Sequence, residues 1–113
     1  MQKEIRYIEH KNFKLNNFNN GEAIIGWVEL SKGKKWIKFG EKKFSKSTGE
    51  KFSNYQDEYG EPYWVSGVKK RGSNRHPCST NGKIKIQRSA VEEFLRWRKE
   101  EKLDIAVYEV IEG

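Results

Sequence analysis

Only one stretch of this chain repeats its apolar residues at helical spacing. Every other apolar run is eight residues or shorter and is bounded by turn residues. A chain punctuated in this way is not a helical bundle. One helix also cannot supply the crossovers that many parallel strands need, so most strands must pair antiparallel through hairpins.

Residues 4–9 read as a strand. Residues 16–21 (Asn-Asn-Phe-Asn-Asn-Gly) are turn chemistry, because Asn and Gly tolerate positive φ. Residues 23–30 are rich in branched and aromatic side chains and predict a strand buried on at least one face. Gly33 then lies in a turn that leads to a second strand at 35–39. Residues 44–46 and 51–53 flank Ser-Thr-Gly-Glu and suggest another hairpin, with a polar loop over 54–61. Residues 63–68 form a strand, and 72–82 a loop. Residues 83–87 alternate strictly, placing Ile84 and Ile86 inward and Lys83, Lys85 and Gln87 outward.

The helix is expected to open at Ser89, where Ser-Ala-Val-Glu has the form of a capping box. Val91, Phe94 and Leu95 share one face. Residues 105–111 are apolar on both faces and read as a central strand. The expected fold is α+β, one domain over 1–113. It is a twisted antiparallel sheet or small open barrel, with one C-terminal helix at about 89–102 followed by a final strand.

Composition decides whether so short a chain can bury a core. Only 35% of residues are hydrophobic, but four Trp, five Tyr and six Phe are among them. Each ring buries roughly 150–250 Å², so a few rings compensate for scarce aliphatics. Of Trp27, Trp36, Trp64, Phe39 and Tyr63, at least two-thirds are expected in the core. Trp36 is the best candidate for exposure, since it shares strand parity with Lys34 and Lys38. The single Cys78 excludes an internal disulfide and fits a reducing compartment. Residues 1–10 have no apolar core of signal-peptide length and no stretch is long enough for a membrane span, so a cytoplasmic location is expected.

The net charge of +7 is unevenly placed. Residues 66–91 hold Lys69, Lys70, Arg71, Arg75, Lys83, Lys85 and Arg88, with His76 among them and no acid. Residues 31–46 hold seven lysines against Glu41 alone. Lysines outnumber arginines seventeen to six, a bias that an AT-rich genome also produces. That bias explains abundant lysine, but not a stretch emptied of acids. Segregated positive charge is the footprint of a polyanionic partner.

Residues 63–75, Tyr-Trp-Val-Ser-Gly-Val-Lys-Lys-Arg-Gly-Ser-Asn-Arg, run from a strand into three cations and a Gly-Ser-Asn loop. In such a loop backbone N–H groups can converge on an anion, and Arg75 can bind it in a bidentate manner. Turn geometry alone also accounts for the glycines. The run, with Val91-Glu92-Glu93-Phe94, resembles a family of small bacterial proteins of uncharacterised function. Their pattern is Tyr-Trp-Ile/Val-Ser-Gly-x-Lys-Lys-x-Gly-x-x-Arg, and it covers residues 63–97 here. The resemblance implies no catalytic or binding residues.

Other chemistries find less support. Gly67 and Gly72 have P-loop spacing, but the Lys-Ser/Thr that must follow is absent. Cys and His total three, short of a four-ligand zinc site. Cys78 lies in a Pro-Cys-Ser-Thr-Asn loop that fixes no catalytic geometry. A metal-free ribonuclease using His76 or His10 with Lys and Arg is chemically reasonable, though nothing brings two such groups together.

The sequence thus points to a small basic binding protein without catalytic, metal or cofactor residues. The expected partner is nucleic acid, held through phosphates with low sequence specificity and not in a membrane setting. The expected ligand-binding residues are Lys69, Lys70, Arg71, Arg75, His76, Lys83, Lys85, Lys34, Trp36 and Lys38. An interaction or inhibitor module docking on an acidic protein surface, and a small phosphorylated-ligand binder, stay open as alternatives. So do the oligomeric state and whether the two basic segments share one face.

Overall fold

The computed structural model describes residues 2–10, 23–47, 53–68 and 84–112. Its strands are β1 (Gln2–His10), β2 (Ala23–Leu30), β3 (Trp36–Phe39), β4 (Lys42–Lys46), β5 (Tyr55–Gln56), β6 (Pro62–Ser66), β7 (Ile84–Gln87) and β8 (Tyr108–Ile111). One helix, α1 (Arg88–Arg98), joins β7 to β8. Among the described residues no helix is long and apolar enough to cross a membrane.

β1 to β6 form a closed antiparallel barrel. Each strand pairs with the next, and β1 closes the ring by pairing with both β2 and β6. The sequence suggested an open barrel; closure follows from the length of β1. Its nine residues run beside all of β2, from Gln2↔Leu30 to Glu9↔Ala23, and its last four also pair with β6 along its other edge. The expected all-antiparallel pairing is also incomplete. β7 lies parallel to β2, and β8 parallel to β7, so the one helix serves as a crossover between two parallel strands.

Alternation along β1 and β2 divides the core in two. Ile8, Val28, Leu30, Ile37, Phe44, Tyr55 and Val65 fill the barrel. Ile5, Tyr7, Ala23 and Ile25 point the other way, against Ile84, Ile86, Ala90 and Phe94 of β7 and α1. The unbroken apolar run of β2 is therefore buried on both faces. Of the five rings expected mostly in the core, Trp27, Phe39 and Tyr63 pack against these clusters, but none is fully buried.

One edge of β2 is shared. Ile25 pairs with Ile86 of β7, and Glu29 pairs with Lys38 of β3. Trp27 lies midway, where neither strand reaches. The Gln87 side chain fills the gap: its Oε1 accepts the Trp27 backbone N–H at 3.0 Å. The Trp27 indole N–H donates to the Ser89 carbonyl at 3.1 Å, tying the start of α1 to the same point. Gln87 was expected to face solvent; it is half-buried because β7 lies beside the barrel.

The remaining departures have local causes. α1 starts one residue earlier than expected, directly after β7, with Gln87 as its N-cap. Ser89 is therefore inside the first turn and forms no capping box. The helix stops at Arg98 because Lys99 adopts a left-handed conformation, φ 56°, and its N–H reaches back to the Arg96 carbonyl. Residues 104–107 turn instead of extending, since the Asp104 side chain accepts the Ala106 N–H and its carbonyl accepts the N–H of Val107 and Tyr108. β8 is consequently four residues long and an edge strand, not a central one.

β4 pairs with β3 through a two-residue turn in which Gly40 has φ 60°, and its other edge pairs with β5. β5 thus lies in the segment expected to be loop. It is held by Asn54, whose side chain accepts the Val65 N–H and donates to the Val65 carbonyl. The proposed partner segment 51–53 falls mostly outside the described residues.

Two predictions follow from this packing. A Cβ at Gly26 would lie 2.6 Å from both Gln87 Oε1 and Phe39 Cε1. Gly26→Ala must displace the junction between β2, β3 and β7, and is expected to lower stability in urea by about 1–3 kcal/mol. The second concerns Tyr55, whose hydroxyl donates to the Lys34 carbonyl at 2.8 Å. Burial raises its pKa above the ordinary 10.0, against the opposing pull of the Arg6 guanidinium. The folded state thus keeps a proton that the unfolded chain releases. The resulting stability is complete below pH 10 and is lost as pH climbs through the raised value. In Tyr55→Phe the alkaline decline in melting temperature should be shallower than in the parent chain.

Candidate functional site

β3 and β7 diverge from β2 at one end of the barrel. A cleft of about 550 Å³ forms there. Ile8 and Ile24 from β1 and β2, with Phe44 from β4, make an apolar floor; Phe39 and Tyr63 add rings, and Ile111 of β8 forms part of the wall. His10, Lys42 and Lys85 supply its polar and cationic groups, and Ala23 completes the lining. No carboxylate lines it among the described residues.

Each polar group is placed by strand geometry. His10 is the last residue of β1 and pairs directly with Tyr63 of β6. Their ring centroids are 4.9 Å apart with planes 32° from parallel, and Phe44 meets the same tyrosine edge-on at 4.7 Å. His10 Nε2 is buried and makes no hydrogen bond; its nearest acid, Glu61 Oε1, is 3.7 Å away. Lys42 begins β4 opposite Phe39, so it shares the inward-facing parity of that ring and opens onto the cleft. Lys85 pairs with Ile24, which turns it toward the barrel mouth and away from the helix.

The expected site residues are divided by the fold. Lys85 reaches the cleft. Lys34, Trp36 and Lys38 do not line it. Lys34 lies in the β2–β3 turn and Trp36 and Lys38 on the outer side of β3, where Lys38 is exposed beside Glu29 and Lys43. Trp36 is half-buried, and Lys43 Nζ sits 4.9 Å from the centre of its ring. That cation is the ring's partner on one face. Trp64 and Trp97 are the more exposed tryptophans, at 36% and 37%. Lys69, Lys70, Arg71, Arg75, His76 and Lys83 lie outside the described residues, as does Cys78.

His10, Lys42, Phe39 and Tyr63 were absent from the expected site. The signal for Lys42 was present: in a two-residue hairpin the flanking residues share a face, and Phe39 was read as inward. The meeting of His10 with Tyr63 depends on barrel closure, which no local pattern states.

An apolar, ring-lined cavity with two lysines and no acid on its lining suits a flat apolar group that carries an anion. Comparison of the chain with family models, curated proteins and solved structures found no match.

Proposed function

We propose that this protein is a small, non-catalytic binding protein for nucleic acid, held through phosphates with low sequence specificity. The observation that supports this reading is the meeting of Lys42 and Lys85 at one cleft. They belong to the two basic segments, 31–46 and 66–91, which are far apart in the chain. Cations from both thus flank one cavity, as a ligand with regularly spaced negative charge would require. The exposed lysines on the outer face of the barrel, Lys38 and Lys43 among them, extend the positive field beyond the cleft. The cationic run 69–75 belongs to the same reading on sequence grounds and lies outside the described residues. α1 mixes acids (Glu92, Glu93) with bases (Arg88, Arg96, Arg98), so no recognition helix is invoked.

The test is a binding titration with a labelled oligonucleotide across a range of salt. Affinity should fall steeply as salt rises, and the Lys42→Ala/Lys85→Ala double variant should flatten the log–log slope by up to about 2, roughly one unit per lost phosphate contact. Affinity that responds to neither salt nor these substitutions would refute the proposal. A partner retained from lysate after nuclease treatment would instead favour docking on an acidic protein surface.

A further inference from the structure

We propose that the barrel-mouth cleft receives an unpaired nucleobase, so that the protein selects single strands over duplex. This rests on the nucleic-acid reading above and names the form of nucleic acid it takes.

The cleft is a cavity and not a flat groove. Its volume of about 550 Å³ falls in the range of small-molecule sites. Its lining combines the tilted, stacked rings of His10 and Tyr63 with the aliphatic side chain of Ile111. A base has two apolar faces, and the rings and branched aliphatics of this lining suit them. His10 contributes its ring, stacked on Tyr63, while its buried Nε2 lies 3.7 Å from Glu61 Oε1. The lysines complete the fit, since every base comes with a phosphate a few bonds away. Lys42 and Lys85 line the same cavity as the rings, where one nucleotide can touch both.

Two further observations narrow the ligand. On the outer face of β3 the Trp36 ring already has a cation partner, Lys43 Nζ at 4.9 Å. The cleft, with the rings of His10 and Tyr63 set together, is therefore the better-preorganised place among the described residues for a base to stack. A base inside a duplex is stacked and paired, and bringing it into a cavity costs a few kcal/mol of unstacking. An unpaired base avoids most of that cost. With rings for the base faces and lysines for phosphate, the described lining of the cleft has few groups that distinguish one base from another. Selection by strandedness with little selection by sequence is the result.

The experiment compares three labelled probes of equal length at fixed salt: an intact single strand, the same strand with abasic residues, and a duplex. The abasic strand keeps the phosphates and loses the rings. The intact strand should bind about 10-fold more tightly than the abasic one, in keeping with the contribution of a stacked base, and more tightly than the duplex. Ile111→Trp, on the edge strand β8 and half-buried, fills the cleft from its rim. In this variant, with its fold checked by thermal melting, the preference for the intact strand should vanish while salt-dependent binding persists.

Equal affinity for intact and abasic strands in the parent chain overturns the base site and leaves phosphate binding standing. So does tighter binding of duplex, or a preference that survives Ile111→Trp. If Ile111→Trp fails to fold, Tyr63→Leu removes the stacking ring at similar volume and reads the same difference. Absence of binding to all three probes overturns both this inference and the reading it rests on.

Discussion

The architecture depends on how the edge of β2 is divided. A β-strand offers one row of hydrogen-bonding groups on each side, and β2 gives one side wholly to β1. The other side must serve two partners, β3 for the barrel and β7 for the parallel extension. Two strands cannot occupy the same rung, so the backbone between them would leave an unpaired N–H at Trp27. Gln87 resolves this with a side chain that takes the place of a strand. Gly26 makes it possible, since any Cβ there would collide with that side chain. Barrel, helix and cleft all meet at this junction. The cleft itself is the space left where the two strands part.

The same division explains why the molecule has two cores rather than one. β1 and β2 carry apolar residues on alternating sides, and each side is claimed by a different layer. The barrel interior takes Ile8, Val28 and Leu30. The helix and its two parallel strands cover Ile5, Tyr7 and Ile25. With few aliphatics in the chain, using both faces of two strands is an efficient route to enough buried area.

Much of this was legible in the sequence. The runs expected at 23–30, 35–39 and 63–68 contain β2, β3 and most of β6 because they are branched or aromatic and bounded by turn residues, though β6 stops at Ser66; Ile84 and Ile86 are fully buried as their alternation required. What escaped notice was long-range. Nothing local in residues 4–9 says that the strand has two neighbours. The Ser-x-x-Glu pattern at 89–92 is a sound local signal that lost to chain continuity, because β7 runs straight into α1 and the capping position falls to Gln87. In the final strand, apolar content masked the turn set by Asp104. The candidate site was less legible than the fold. Charge segregation singled out Lys85, which lines the cleft, but its exposure was inferred from alternation alone. Lys85 alternates outward from the helix layer, and that direction is the barrel mouth and not open solvent.

The ring of strands has a kinetic counterpart. β1 pairs with β2 across the short connection at 11–22, but its other edge waits for β6, more than fifty residues further along. The crossover from β7 through α1 to β8 is local by comparison. Contacts of long sequence separation form slowly because chain entropy must be lost before they contribute. By this criterion β1 against β6, where His10 meets Tyr63, is one of two late seams, the other being β2 against β7. The pairing that completes the barrel is also the one that sets the stacked rings at the cleft, so a chain arrested short of closure would lack the His10–Tyr63 contact.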